Sequence, residues 1–138
     1  MGGVRRYRLT APIIAEHPLQ AQIARVLGLE IGPPGKLSPG GVVWYCIDHA
    51  NYAGEVPGVR LGRGVISGIL DLYLLYRGRA YHVEIKTVSG VLSDAQKSVA
   101  TALLGAGGQV AVVSSVEMLL GCLDEWGIPR ARRVRVAA

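Results

Sequence analysis

Residues 68–87 have the sequence GILDLYLLYRGRAYHVEIKT, and this stretch decides the fold. It contains two apolar runs, residues 70–76 and 79–87, which are rich in leucine, tyrosine and β-branched residues. Arg77 and Gly78 separate the runs, and two-residue loops that contain glycine are the commonest connections of β-hairpins. The stretch therefore predicts two antiparallel strands joined by a tight turn.

The hairpin register places two carboxylates face to face. With a two-residue turn, Asp71 stands directly opposite Glu84, with Cβ atoms about 4.5–5.5 Å apart. Lys86 follows Glu84 by two residues and projects from the same face. Facing carboxylates repel each other unless a positive charge lies between them, and such oxygen ligands suit a hard cation such as Mg²⁺. A turn changed by one residue would put the two acids on opposite faces.

The same charges also fit an exposed, salt-bridged face of the sheet. The neighbouring side chains of both strands are strongly apolar, however, as in an interior hairpin, where an unpaired carboxylate is costly. The Gly-rich segment just before Asp71 leaves room for a second backbone to approach. His82 shares the face of Asp71, and we expect it to be a packed neighbour rather than a ligand.

The rest of the chain predicts helices and strands around the hairpin. The predicted order is a helix from Glu16, a loop at 32–41, a strand at 42–47 buried on both faces, the hairpin, a helix capped by Ser93, a strand at 109–113 and a helix capped by Ser114. A strand joined to a later strand through a helix implies a crossover unit. We therefore expect an α/β fold with a mixed central sheet flanked by helices. The long polar segment at 48–68 is typical of a functional loop.

Composition predicts one domain over residues 1–138, because 138 residues are too few for two cores. No apolar run approaches the roughly 18 residues of a membrane-spanning helix, and no secretory signal opens the chain. Two lone cysteines, Cys46 and Cys122, suggest reduced, buried thiols in the cytoplasm. A bacterial or phage-encoded protein is our expectation from its small size.

The net charge of +5 is unevenly distributed. The basic terminal segments, residues 1–12 and 130–138, carry seven arginines, whereas residues 9–129 have eight basic and ten acidic residues, a net charge of −2. Arginine favours bidentate contacts with phosphate. The ends are therefore either solvated tails or contacts for a nucleic acid.

Several motifs together resemble the PD-(D/E)XK nucleases, and in particular their VRR-NUC branch. The resemblance covers roughly residues 14–120. In that branch a Gly-x-Pro-Asp turn leads to a Glu-x-Lys strand, a Ser-x-x-Gln-Lys helix start and a Gly-Gly-x-Val-Ala-Val-Val strand. The corresponding segments here are Gly68-Ile69-Leu70-Asp71, Glu84-Ile85-Lys86, Ser93-Asp94-Ala95-Gln96-Lys97 and residues 107–113. Leu70 replaces the usual proline, which tunes the turn rather than binding metal.

Two upstream motifs add to this resemblance. His49-Ala50-Asn51 is similar to an asparagine-containing loop of the family, and Glu16 with Gln20 is similar to its first-helix acidic motif. The resemblance implies a restriction-endonuclease-like core of the order αβββαβ. It also implies metal-dependent hydrolysis of DNA phosphodiesters, at branched DNA such as four-way junctions for the small stand-alone members.

The resemblance implies roles for individual residues. Asp71 and Glu84 would hold Mg²⁺ or Mn²⁺ with the carbonyl of Ile85. Glu16 would hold a second metal, hold the first metal through water, or be an ordinary helix-terminal acid. Lys86 would orient or deprotonate the attacking water or neutralise the phosphate. Gln96 would contact the nucleophile or phosphate, cap its helix, or do both.

Further residues are candidates for DNA contacts, and loop hydrogen bonds are the alternative for His49 and Asn51. The DNA-binding candidates are His49, Asn51, Arg60, Arg63, Arg5, Arg6, Arg132 and Arg133. A homodimer is the natural assembly for cutting two opposed strands, with the helix at 116–126 and the N-terminal arm as candidate interfaces. Alternatives are a nuclease without junction preference, a catalytically idle DNA-binding module, and an unrelated small α/β protein with a basic tail.

Overall fold

The structure, a computed structural model, describes residues 16–49 and 62–130. These residues form three α-helices and four β-strands. In chain order they are α1 (Glu16–Glu30), β1 (Val42–Cys46), β2 (Leu72–Tyr76), β3 (Arg79–Ile85), α2 (Asp94–Gly105), β4 (Gln109–Val113) and α3 (Val116–Glu125). The predicted α/β class and the predicted element order are confirmed, and each boundary lies within two residues of its prediction.

The four strands form one mixed sheet in the order β1-β2-β3-β4. Strand β2 is antiparallel to both β1 and β3, whereas β3 and β4 are parallel. Helix α2 connects this parallel pair, which is the crossover predicted from the sequence. The sheet therefore brings the carboxyl ends of β3 and β4 to the same edge.

The hairpin turn has the predicted length and register. Arg77 and Gly78 both have positive φ, 51° and 76°, which is the conformation of a type I′ turn. Tyr76 accordingly pairs with Arg79, and Leu72 pairs with Val83. The turn thus determines which side chains of β2 and β3 share a face.

The hydrophobic core lies between one face of the sheet and two helices. The predicted apolar stripe of α1 is confirmed, because Leu19, Ile23 and Leu27 are all buried. Alternate strand residues meet this stripe and the leucines of α3 in one cluster. The largest buried members are Trp44, Ile23, Leu27, Leu72, Leu74, Ile85, Leu119 and Leu123.

The opposite face of the sheet is only partly covered by the described residues. Helix α2 packs beside β4, at one side of this face. Tyr45 of β1 is 41 % exposed and Leu75 of β2 is 38 % exposed. The prediction of a first strand buried on both faces was therefore wrong, because apolar composition does not say how many faces a helix covers.

Helix α3 is directed into the core. Ser115 rather than Ser114 caps it, because the Ser115 hydroxyl accepts a hydrogen bond from the backbone N–H of Met118 at 3.0 Å. Leu119, Leu120 and Leu123 are buried against the sheet. The apolar side of this predicted dimer helix is therefore used within one molecule, and Met118 is the one large apolar side chain of α3 that is exposed.

An ion cluster joins the end of the described chain to the core. Arg130 Nε lies 3.6 Å from Oε1 of the fully buried Glu30 and 3.2 Å from Oδ1 of Asp124. Both cysteines are half-buried free thiols. Across residues 16–49 and 62–130, no helix has the length and apolar character needed to cross a bilayer.

Candidate active site

A cavity of about 320 Å³ lies where the hairpin, the N-terminus of α2 and the end of β1 meet. It contains most of the residues that the sequence singled out, including both carboxylates. Its lining residues are Gln20, His49, Ser67, Gly68, Ile69, Asp71, Glu84, Lys86, Ser93, Ala95 and Gln96. The cavity is the candidate active site.

Asp71 stands immediately before β2, where the strand pairing of the hairpin ends. Its Oδ2 accepts a hydrogen bond from the backbone N–H of Ile85 at 2.8 Å, so the side chain takes the place of a strand carbonyl. Its Oδ1 lies 3.1 Å from Nε2 of His49. The Asp71 carbonyl accepts from the N–H of Ile47 at 2.8 Å. Backbone and side-chain bonds together set the orientation of this carboxylate.

Glu84 is buried, with a relative exposure of 2 %. Its Oε2 accepts a hydrogen bond from Nε2 of Gln96 at 2.6 Å and lies 3.4 Å from Nζ of Lys86. Its Oε1 has no hydrogen-bond partner among the described residues. Burial raises the pKa of Glu84, the negative charge of Asp71 raises it further, and Lys86 and Gln96 oppose both effects.

Gln96 has two roles at once. Its side-chain Oε1 accepts a hydrogen bond from the backbone N–H of Ser93 at 2.9 Å, and its backbone N–H donates to the Ser93 hydroxyl at 3.1 Å. This capping box confirms the predicted start of α2. Because one end of the amide is held by the cap, the other end is directed at Glu84.

Gly68 allows α2 to approach the hairpin. It has φ of +92°, and a Cβ at this position would overlap the carbonyl oxygen of Ala95. The close backbone approach expected before Asp71 is thus made by the first turn of α2. The contact places Gln96, the next residue of that turn, within reach of Glu84.

The donor set fits a hard divalent cation. No group of three or more His, Cys, Asp and Glu side chains within the described ranges has the arrangement of a metal site. Mg²⁺, however, typically binds through one or two carboxylates and keeps several waters. Asp71 and Glu84 supply two carboxylates, and Oε1 of Glu84 is buried with no hydrogen-bond partner in the described part of the chain, an arrangement that a cation would stabilise.

Comparisons of the chain with protein-family models, curated proteins and solved structures found no match. The function of the chain is therefore inferred from the geometry of the cavity and from the resemblance of the motifs.

The structure brings five predicted site residues together and leaves others undescribed. Asp71, Glu84, Lys86, Gln96 and His49 all line the cavity. Glu16 begins α1 one turn before the lining residue Gln20, but its side chain lies outside the described residues, and Arg63 is exposed. The backbone of Ile85 contacts Asp71, whereas metal binding by its carbonyl remains a prediction. Arg5, Arg6, Asn51, Arg60, Arg132 and Arg133 also lie outside the described residues.

Sequence reasoning missed two features of this region. It did not foresee that His49 contacts Asp71, because the two residues lie in different elements. It also missed a row of aromatic side chains beside the carboxylates, formed by Tyr45, Tyr73 and His82. The period-2 spacing of Tyr73 to Asp71, and of His82 to Glu84, was the available signal.

Proposed function

We propose that this chain is a metal-dependent DNA endonuclease with a restriction-endonuclease-like core. The observation that carries the proposal is that Asp71, Glu84 and Lys86 line one cavity, where one Glu84 oxygen is buried with no hydrogen-bond partner among residues 16–49 and 62–130. An inert ion network at the surface would leave its carboxylates in water, whereas the Glu84 carboxylate is buried. The proposed reaction is hydrolysis of a phosphodiester.

The side chains of the cavity have distinct proposed roles. Asp71 and Glu84, with the Ile85 carbonyl, would hold Mg²⁺ or Mn²⁺. When bound, such an ion lowers the pKa of a water and stabilises negative charge on the phosphate. Lys86, 3.4 Å from Glu84, would orient the attacking water or neutralise the phosphate.

Two further residues hold the carboxylates in position. Gln96 fixes Glu84 through one oxygen and leaves the other oxygen of that carboxylate open. His49 and the N–H of Ile85 fix the two oxygens of Asp71. Each carboxylate oxygen has lone pairs beyond those used, so these bonds are compatible with cation binding.

The proposed substrate is branched DNA, such as a four-way junction, and the proposed assembly is a homodimer. A two-fold dimer presents two identical sites to opposed strands, as symmetric nicking requires. The arginines at the two ends of the chain would contact phosphates, as the charge distribution suggests. Light scattering at working concentration tests the assembly, and a monomer would contradict it.

The test is cleavage of labelled four-way junction, flap and linear duplex, with Mg²⁺ or with a chelator. We expect the junction to be cut first, and only with metal. Asp71→Asn and Glu84→Gln should each lower the cleavage rate by at least about 10³-fold and leave DNA binding intact or tighter. Glu117→Gln, at an exposed glutamate of α3, is the matched control and should cut normally.

Lys86→Ala should slow cleavage by about 10²-fold or more, because a positioned proton-transfer group contributes about that much. Its effect on metal affinity should be small. Wild-type rates in either carboxylate variant would refute the proposal. Binding of branched DNA without cleavage would indicate an idle DNA-binding module, and equal cutting of junction and duplex would remove the junction preference.

A further inference from the structure

A row of aromatic rings crosses the partly open face of the sheet. Tyr45 pairs with Tyr73 across β1 and β2, and Tyr73 pairs with His82 across β2 and β3. The ring centroids are 5.2 Å apart in the first pair and 5.3 Å apart in the second. We call these three side chains the aromatic row.

The aromatic row lies directly beside the candidate active site. Tyr73 is two residues from Asp71, and His82 is two residues from Glu84, so all four side chains project from one face. Two residues of a strand span about 7 Å. That is about two base steps of a DNA strand, at 3.4 Å each.

The aromatic row is accessible and carries no acidic group. Tyr45 is 41 % exposed at the β1 end, and Tyr73 and His82 are half-buried. The core cluster lies on the other face and does not use these rings. The row is therefore a flat aromatic surface next to the proposed cutting site of a chain with net charge +5.

We propose that the aromatic row is a stacking platform for an unpaired base of the DNA substrate, one or two nucleotides from the phosphate held at Asp71 and Glu84. This inference rests on the proposed function and names the feature of the substrate that is recognised. Aromatic side chains stack on every base, so the contact is independent of sequence. Bases inside a duplex stack on each other, whereas a flap carries unpaired bases, and the base pairs at a four-way junction must open before a base can stack on the row.

DNA fits the row better than a second copy of this chain. Tyr73 and His82 each lie two residues along their strand from a carboxylate that lines the cavity, on the same face of the sheet, so a strand bound at the carboxylates would lie beside the row. A polyanion also matches the excess positive charge of the chain. Tyrosine combines a flat apolar ring with a hydroxyl that stays in water.

The test measures binding in an Asp71→Asn background, which separates binding from cleavage. The probes are a flap DNA with an unpaired 2-aminopurine at the branch and a fully paired duplex of the same sequence. We expect quenching of the 2-aminopurine fluorescence on the flap. Tyr45→Leu should abolish the quenching and weaken flap binding about tenfold, in line with the loss of one base stack. Duplex affinity should change less than twofold.

Two control variants complete the design. Tyr45→Phe keeps the ring and should preserve quenching, while Leu37→Ser removes an exposed apolar side chain outside the sheet and should change nothing. Thermal melting checks that each variant is folded. Tyr73→Leu, at the neighbouring ring, should repeat the result for Tyr45→Leu.

Three outcomes would overturn the inference. The first is unchanged quenching in both leucine variants, and the second is an equal loss of flap and duplex affinity. The third is a wild-type dimer that Tyr45→Leu converts to a monomer, because a second copy would then cover the row. Cleavage of the same flap by the wild-type chain with Mg²⁺ is scored separately. If nothing is cut but quenching depends on Tyr45, the nuclease proposal fails and the platform remains.

Discussion

At the scale of single residues, the most informative group is Glu84. Its side chain is buried, faces a second carboxylate and has one oxygen that no described residue partners. Each of these features disfavours the charged form in the protein without metal. In the proposed nuclease a bound cation would offset all three penalties together, so the metal-free fold would be less stable than the cation-bound one.

Glu84→Gln is expected to stabilise the metal-free protein at pH 8. The pKa of Glu84 is raised on folding, so its charge costs stability above that pKa, and the cost disappears as the pH falls through it. We expect the melting temperature of the variant to rise by about 3 °C for each kcal/mol by which its free energy of unfolding increases. The difference from the wild type should shrink towards acidic pH, and Mg²⁺ should stabilise only the wild type. A variant less stable than the wild type at pH 8 would contradict this.

At the scale of secondary-structure elements, the site depends on how closely α2 approaches the hairpin. Gly68 allows the contact with Ala95, and the capping box of Ser93 and Gln96 orients the first turn. Without that approach, Gln96 would cap its helix but would not contact Glu84. One glycine therefore links the packing of the helix to the geometry of the carboxylate.

Gly68→Ala should destabilise the fold by about 2–3 kcal/mol and lower cleavage, because the new Cβ displaces α2. Urea denaturation and the cleavage assay measure the two effects. Gly35→Ala is the matched control, since Gly35 also has positive φ, +75°, but has open space around it. The two variants share the backbone strain, so similar losses in both would show that the helix contact is unimportant.

The hairpin turn offers a stabilising change. Arg77 has φ of 51°, a conformation that costs most L residues about 1 kcal/mol, and asparagine tolerates it better. Arg77→Asn should therefore raise the free energy of unfolding by about 0.5–1 kcal/mol. Cleavage should not change, because the turn lies at the end of the hairpin away from the carboxylates. A lower urea midpoint would show that the Arg77–Tyr76 cation–π contact outweighs the strain.

At the scale of the whole molecule, charge is divided between a mildly acidic body and two basic ends. The first of the C-terminal arginines is Arg130. Ion pairs with the buried Glu30 and with the exposed Asp124 hold it against the core. Because this anchor uses one arginine internally, the residues that follow it remain as candidates for phosphate contacts. The net charge of +5 is thus the sum of basic ends and a mildly acidic body.

Replacing Arg132 and Arg133 by alanine should weaken binding of all DNA structures alike. The slope of log K against log salt should fall by about 2, one for each lost phosphate contact. Arg25→Ala, at an exposed arginine of α1, is the control and should leave the slope unchanged. An unaltered slope in the double variant would mean that these two arginines are solvated and make no phosphate contacts.

The sequence by itself determined the elements and the hairpin register. Turn length and side-chain alternation act between neighbours in the chain, so they place Asp71 opposite Glu84 and Lys86 on the same face without further information. The capping pattern of Ser93 and Gln96 is equally local.

Only the tertiary structure decided how the carboxylates are partnered and which faces stay open. The contacts of His49 with Asp71 and of Gln96 with Glu84 join elements far apart in the chain. The exposure of Tyr45 depends on which part of the sheet α2 covers. Helix packing sets these distances, and because packing is a property of all the elements together, no local pattern contains it.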